Sequence, residues 1–136
     1  MPELPEVEFA FPGPLRDNLV SAILSGKKRS TSALVRFYEL DDESLPQIGK
    51  RAVVIDSSGK GVAVIETTGV EVVALRDVSL QHALDEGEGY ADVAEWRVGH
   101  LGFWNSSEVR AEIGDDFVID DDTLIVLEQF VLVEVR

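Results

Sequence analysis

The chain has no cysteine and little histidine, and these two shortages exclude several kinds of site. Without cysteine among its 136 residues, the protein forms neither disulfide bonds nor thiolate metal sites. The two histidines, His82 and His100, are too few for a histidine-rich metal centre. We therefore expect a protein that uses no metal and no cofactor.

Long apolar runs are also missing. Runs such as Leu124–Leu127 are far shorter than the roughly 20 residues that span a bilayer. The first residues, Met1 to Glu6, are acidic and interrupted by proline, whereas a secretory signal needs a basic start and an apolar stretch. These features predict a cytoplasmic protein that does not contact membranes.

Positive charge is scarce and unevenly distributed. Lysine and arginine number 12 against 26 aspartates and glutamates, which gives a net charge of -14. Through residue 60 there are 8 basic and 9 acidic residues, and after it 4 and 17. Non-specific binding to nucleic acid depends on cationic side chains, so this composition argues against a protein that coats long RNA or DNA. An anionic ligand would meet the N-terminal half.

The hydrophobic pattern predicts one α+β domain over residues 1–136. A helix is expected from Pro14 to Gly26, and the acidic region 79–112 reads as helical, with a helix after Gly89 forming a lid. The expected strands are residues 7–11, 52–55, 62–65, 70–75 and 123–135. Residues 33–40 fit either a helix or a strand. Strands before and after helices favour a small mixed sheet or barrel.

A basic segment rich in hydroxyl groups follows the first helix. Lys28 and Thr31 lie three residues apart, so a tight turn would place them on one side. A threonine hydroxyl needs a base to become a nucleophile, and a lysine flanked by cations such as Lys27 and Arg29 loses its proton more easily. The alternative is that these cations stay solvated at the negative end of the helix, which the pattern alone favours.

A second group of polar residues lies further along the chain. His82 and Glu86 are four residues apart, so they would share one face of a helix. Glu86 precedes a glycine-rich break and is predicted either to reach the basic segment as an acid/base or ion partner, or to lie in an exposed acidic loop. His100 falls on an apolar helix face with two tryptophans, which favours a hydrogen-bonded lid residue over a ligand.

Met1 to Glu8 resemble the start of formamidopyrimidine-type DNA glycosylases. That resemblance implies Pro2 as the nucleophile and Glu3 as a catalytic glutamate. The match ends at Glu8, and the chain lacks the basic DNA-binding region and the cysteine zinc finger of that family.

A second resemblance covers nearly the whole chain and rests on several motifs. The sequences FAFPGPLRD, GKK, VIETT and DEGEG, together with Trp96 and His100, resemble an ASCH-domain protein of the PUA-like superfamily. The resemblance implies a small PUA-like mixed β-barrel with surrounding helices and a cleft at the barrel surface.

Small bacterial members of that family hydrolyse the amide of acetylated cytidine through a Gly-x-Lys-x-x-Thr segment and a later glutamate. Gly26, Lys28 and Thr31 fit this segment, and Glu86 lies where the glutamate is expected. The resemblance thus implies a metal-independent amidohydrolase with Lys28 as the activating base, Thr31 as the nucleophile and Glu86 as the general acid/base.

The resemblance also implies a cleft for a nucleoside or short single-stranded RNA. Lys27, Arg29 and Arg51 are the expected ligand contacts, and Glu66 is expected to line the wall. Arg29 stands where a threonine is more usual. Since other family members are linked to RNA cleavage or to RNA binding alone, a ribonuclease, a non-catalytic RNA-binding domain and a partner-binding regulatory domain stay open. The sequence leaves the oligomeric state undetermined.

Overall fold

The computed structural model describes residues 4–136 and has, in that range, one five-stranded sheet and five α-helices. The strands are β1 (Glu6–Val7), β2 (Ser30–Leu34), β3 (Arg51–Ile55), β4 (Gly61–Ala74) and β5 (Leu124–Val135). The helices are α1 (Pro14–Leu24), α2 (Val35–Leu40), α3 (Leu80–Asp85), α4 (Val93–Trp104) and α5 (Ser107–Ile113), with a short 3₁₀ helix at Leu75–Asp77. The predicted α+β class is confirmed.

The predicted closed barrel is wrong. The strand order is β1-β3-β4-β5-β2, with β1 parallel to β3 and every other pair antiparallel. The two edge strands, β1 and β2, share no ladder in the described part of the chain, and β1 is only two residues long. Register shifts at Val64/Ile65 and Thr67/Gly69 interrupt the long β4–β5 ladder, and such bulges bend a sheet. The result is an interrupted, open sheet.

Three of the predicted strands also need correction. The predicted strands 62–65 and 70–75 are one continuous strand, β4, because Gly69 and Val70 keep pairing with β5 instead of turning back. The predicted strand 7–11 ends at Val7, after which Ala10 adopts a positive φ of 59°. The hairpin itself is confirmed, since β3 and β4 pair across the turn.

The chain after α1 combines the two alternatives left open for residues 33–40. Gly26, with φ of 82°, follows the end of α1 as predicted. The chain then enters β2, and Val35 begins α2 directly after it. The predicted tight turn that joins Lys28 and Thr31 is therefore wrong, because Thr31 lies within a strand whose successive side chains point to opposite faces.

The two larger hydrophobic clusters pack helices against this sheet. One packs α3, α4 and α5 against β2 and β5 and includes Leu34, Trp96 and Trp104. The other packs α1 and Phe9 against the sheet at Ile65 and Phe130. The predicted helical lid is confirmed as α4, and its two tryptophans are buried.

The length and composition of the helices bear on membrane insertion. The longest helix within residues 4–136 has 12 residues, and none there has the length and apolar character to cross a bilayer.

Candidate functional site

Glu86 lies directly after α3 and has only 1% of its side chain exposed. Its Oε2 atom accepts hydrogen bonds from Ser32 Oγ at 2.6 Å and Trp96 Nε1 at 2.6 Å, and it lies 3.1 Å from His82 Nε2. The i, i+4 relation predicted for His82 and Glu86 is confirmed. Oε1 lies 3.0 Å from His100 Nε2. A buried carboxylate thus collects donors from three different elements.

His100 contributes more to this cluster than the predicted lid role. Its Nδ1 atom lies 2.9 Å from the Trp96 carbonyl oxygen, while its Nε2 atom faces the Glu86 carboxylate. A carbonyl oxygen accepts hydrogen bonds, so Nδ1 is a donor, and Nε2 donates as well if the ring carries both protons. Stacking of the ring on Trp96, with centroids 4.3 Å apart, fixes its orientation.

These donors determine the charge state of Glu86. Burial alone raises the pKa of the carboxyl group, because the charged form loses its hydration. Hydrogen bonds from His100 and His82, with the positive charges of His100 and Lys28, outweigh burial and hold the pKa well below its usual range. Glu86 is therefore a firmly ionised, buried carboxylate.

Lys28 is the cation of this cluster, with 1% of its side chain exposed. Its Nζ atom donates to the Ser30 carbonyl at 2.9 Å, to Glu88 Oε2 at 3.2 Å and to the Glu86 carbonyl at 3.4 Å. It also lies 3.9 Å from Glu86 Oε1. Three acceptors match the three N–H bonds of an ammonium group. The solvated alternative is thus wrong for Lys28, whereas Lys27 and Arg29 are exposed.

Gly87 lets the chain carry two carboxylates around Lys28. Its φ of 67° is unfavourable for other residues, and a Cβ atom there would lie 2.3 Å from the Lys27 carbonyl oxygen and 2.7 Å from the Lys28 nitrogen. This close approach lets Glu86 and Glu88, on either side of Gly87, both reach the ammonium group.

Glu88 is a site residue that the sequence reasoning missed. Burial raises the pKa of its carboxyl group; Lys28 opposes this shift, whereas the negative charge of Glu86 adds to it. Tyr90 lies beside it, and burial with the charges of Glu88 and Glu86 raises the pKa of the phenol. In the sequence, Glu88 is marked only by its place in the acid-glycine repeat of residues 86–89. Glu88 thus holds a proton more readily than Glu86.

Beside this cluster lies a cavity of about 660 Å³, lined by residues of both edge strands. Lys28, Thr31 and Glu86 all line it. The Thr31 hydroxyl makes no hydrogen bond to Lys28 or Glu86 in the described part of the chain; the neighbouring Ser32 bonds Glu86 instead. The structure therefore joins Lys28 to Glu86. It places Thr31 in the same cavity, on the face of β2 opposite to that of Ser32.

A second polar group lines the cavity on the face of Thr31. Glu128 of β5 is the cross-strand partner of Thr31, and its Oε2 atom accepts a hydrogen bond from Thr67 Oγ1 at 2.7 Å. Burial raises the pKa of Glu128, and the Thr67 hydrogen bond opposes this shift. Burial and the charge of Glu128 together raise the pKa of nearby Tyr38 to about 12. Sequence reasoning missed Glu128, which reads as an ordinary polar strand residue.

The four predicted ligand contacts do not line this cavity. Arg29 pairs with Asp85 at 3.1 Å on the surface. Arg51 and Glu66 pair with each other at 2.9 Å across β3 and β4. Lys27 is exposed. A role for Lys27, Arg29, Arg51 and Glu66 in binding stays a prediction.

One group of side chains has the spacing of a metal site. Glu86, Glu88 and His100 each offer a ligand atom, and these atoms lie within 4.8 Å of one another. The Lys28 ammonium group already contacts both carboxylates. A metal ion at this position would therefore have to displace a buried, hydrogen-bonded cation.

A comparison of the sequence with known protein families gives a result that agrees with this fold. A sequence model described as the ASCH domain matches residues 8–134. The chain belongs to the ASCH-domain family. None of the curated proteins matches this ASCH chain. The glycosylase resemblance involves Pro2 and Glu3, which lie outside the described residues.

Solved structures support the same assignment. An ASCH domain from Lactobacillus crispatus has 32% sequence identity and a TM-score of 0.76, covering 92% of this chain and 77% of that one. A protein from Enterococcus faecalis has 26% identity and a TM-score of 0.82, covering 96% and 77%. A mutant ASCH protein from Zymomonas mobilis, at 10% identity, a TM-score of 0.51 and coverage of 96% and 68%, shares the fold alone.

Proposed function

We propose that this ASCH protein is an amidohydrolase that removes the acyl group from an N-acylated cytosine-type nucleoside. The observation that carries the proposal is the buried Lys28–Glu86 pair, 3.9 Å apart, in the wall of a cavity that Thr31 also lines. Buried ion pairs that line a cavity are common at catalytic sites, because burial and neighbouring charges adjust the readiness of each group to exchange protons.

The charge of the cavity favours an uncharged ligand. Its lining includes six acidic residues and two basic ones. Both basic side chains are already bonded within the protein: Arg16 donates to the carbonyls of Phe9 and Ala10, and Lys28 is enclosed as described above. An RNA backbone needs free cations, whereas a nucleoside needs a few hydrogen-bonding groups and apolar walls. We therefore place a nucleoside, and not RNA, in the cavity.

The first chemical step forms a tetrahedral intermediate on the Thr31 oxygen. The Thr31 hydroxyl oxygen attacks the acyl carbon, and its proton passes to the Lys28 amine. Lys28 becomes an amine by giving a proton to Glu88, which lies 3.2 Å from Nζ and whose raised pKa favours proton uptake. Substrate binding must bring the Thr31 hydroxyl within reach of Lys28, as catalytic contacts often tighten only in the complex.

The second step releases the cytosine-type nucleoside. The C–N bond breaks, Lys28 returns the proton to the leaving nitrogen, and the acyl group stays on Thr31 as an ester. A water molecule then attacks the ester, gives one proton to the Thr31 oxygen and releases the carboxylic acid. Glu86, whose pKa lies well below its usual range, is better suited to orient and stabilise the Lys28 ammonium than to donate a proton. The role expected for it as general acid passes to Lys28 and Glu88.

The test is hydrolysis of N4-acetylcytidine by matched variants. Thr31→Val keeps the shape of the side chain without its hydroxyl and should abolish hydrolysis, while Thr31→Ser should retain it. Lys28→Met should lower the rate at least about 100-fold. Lys60→Ala, an exposed lysine outside the cavity lining, serves as the control. Wild-type rates in Thr31→Val, or a wild-type chain that binds acetylcytidine without cleaving it, would refute the enzyme; the latter result would favour non-catalytic binding.

A further inference from the structure

Glu128 has no part in the steps above, although it lies next to the proposed nucleophile. Thr31 and Glu128 are directly paired in the antiparallel β2–β5 ladder, so both side chains lie on the same face of the sheet. The Cβ atoms of such pairs are about 4.5–5.5 Å apart. Both residues line the cavity. A small ligand that touches one therefore reaches the other.

One oxygen of Glu128 is held in place and the other is available. Oε2 accepts the Thr67 hydroxyl hydrogen bond at 2.7 Å. Oε1 has no hydrogen-bond partner within residues 4–136, and no cation pairs with this carboxylate there. A half-buried acceptor oriented by a neighbouring hydroxyl group suits an N–H donor of an uncharged ligand.

We propose that Glu128 determines base specificity by accepting a hydrogen bond from the exocyclic nitrogen of a cytosine-type base. The inference rests on the proposed function for the ligand class. An amide whose carbonyl carbon contacts Thr31 has its N–H group one bond away, within the space between the two paired side chains. Cytosine and its N-acyl derivatives carry a hydrogen on this nitrogen, whereas uracil has a carbonyl oxygen there, which the carboxylate repels. Glu128 thus selects amino-pyrimidines over keto-pyrimidines.

The hydrogen bond from Thr67 sharpens the test. In Glu128→Gln, Thr67 continues to donate to the side-chain oxygen, so the amide NH₂ group takes the free position in the cavity. That group donates, and it matches the uracil oxygen instead of the cytosine amine. The substitution should therefore reverse the preference and not merely weaken binding.

The experiment measures binding of cytidine and of uridine to the full chain by calorimetry. The wild type should bind cytidine at least about tenfold more tightly than uridine, since a hydrogen bond to a charged group is lost with uridine. Glu128→Gln should bind uridine at least as well as cytidine. Glu128→Asp, which shortens the side chain, should lose cytidine affinity without gaining uridine affinity. The control is Glu134→Gln, a carboxylate on the same strand that pairs with Arg136 outside the cavity, which should keep the wild-type ratio.

The two proposals fail in different ways. A wild type that does not distinguish or does not bind the two nucleosides, or a Glu128→Gln variant with the wild-type ratio, overturns the role of Glu128 even if acetylcytidine is hydrolysed. If Glu128→Gln is unfolded in its circular dichroism spectrum, the Glu128→Asp result decides the question. A reversed preference in a chain that hydrolyses nothing supports base selection and refutes the hydrolase alone.

Discussion

Replacing Glu86 with glutamine should destabilise the fold strongly, because the carboxylate is the shared acceptor of the buried cluster. Four donor atoms lie within 3.1 Å of its two oxygens, and the Lys28 ammonium group is 3.9 Å away. Glutamine has almost the same shape but offers one oxygen and one NH₂ group. If its oxygen keeps the bonds from Ser32 and Trp96, the NH₂ group lies towards the Lys28 ammonium group, which is itself a donor.

The magnitude follows from what is left unpaired. Removing one partner of a buried ion pair costs about 3–5 kcal/mol. Lys28 retains Glu88 and two carbonyl oxygens, so the lower limit, about 3 kcal/mol, applies. With a urea m-value of about 1.5 kcal/mol per molar, the unfolding midpoint should fall by about 2 M at pH 7. Trp96 and Trp104, both buried, report the transition by fluorescence.

The pH dependence gives a second readout with a defined sign. The pKa of Glu86 is lower in the folded chain than in the unfolded chain, where it is about 4.3. The unfolded state therefore binds more protons at acid pH, and the contribution of Glu86 to stability is complete above about pH 4.3 and is lost as the pH falls below it. Glutamine does not titrate, so the difference in the free energy of unfolding between wild type and variant should shrink in acid.

The matched control is Glu66→Gln, which removes a carboxylate from the partly exposed Arg51 pair. Exposed pairs contribute about 0–1 kcal/mol, so this midpoint should move little. Two results would contradict the assignment of Glu86 as the ionised centre of the cluster. One is a loss of unfolding free energy below about 1 kcal/mol for Glu86→Gln. The other is a difference in unfolding free energy between wild type and variant that stays constant from pH 7 to pH 3.

Three further predictions test the surroundings of this centre. Gly87→Ala should lower the free energy of unfolding in urea by more than about 3 kcal/mol, since it adds backbone strain and places Cβ 2.3 Å from a carbonyl oxygen. Gly89→Ala, with a similar φ but no atom within 4 Å of the new Cβ, should lower it by only about 1–2 kcal/mol. Equal losses in the two variants would exclude the clash at Gly87. Trp96→Phe keeps an aromatic side chain but removes the indole N–H and its 2.6 Å hydrogen bond to Glu86, and it is smaller than the buried indole, so thermal unfolding should show a loss of at least about 1–3 kcal/mol. Arg29→Ala should change acetylcytidine hydrolysis less than about twofold, because Arg29 lies outside the cavity lining; a larger loss would support its predicted role in binding.

Several features of the site follow from local sequence signals. The glycine that follows α1, the hairpin turn and the i, i+4 spacing of His82 and Glu86 depend on residues close together in the chain, and the structure has all three. The resemblance to ASCH-domain proteins identified the family and the pairing of Lys28 with Glu86. Closure into a barrel was wrong because strand pairing at the edges depends on residues far apart in sequence.

The sequence by itself determined the α+β class, the family and the absence of thiolate chemistry. These depend on composition, periodicity and short motifs, which are properties of neighbouring residues. Only the tertiary structure decided that Ser32 and not Thr31 bonds Glu86, that Glu88 joins Lys28, and that Glu128 faces the cavity beside Thr31. The physical reason is that strand register and the close approach at Gly87 set which side chains meet, and both are contacts between distant parts of the chain.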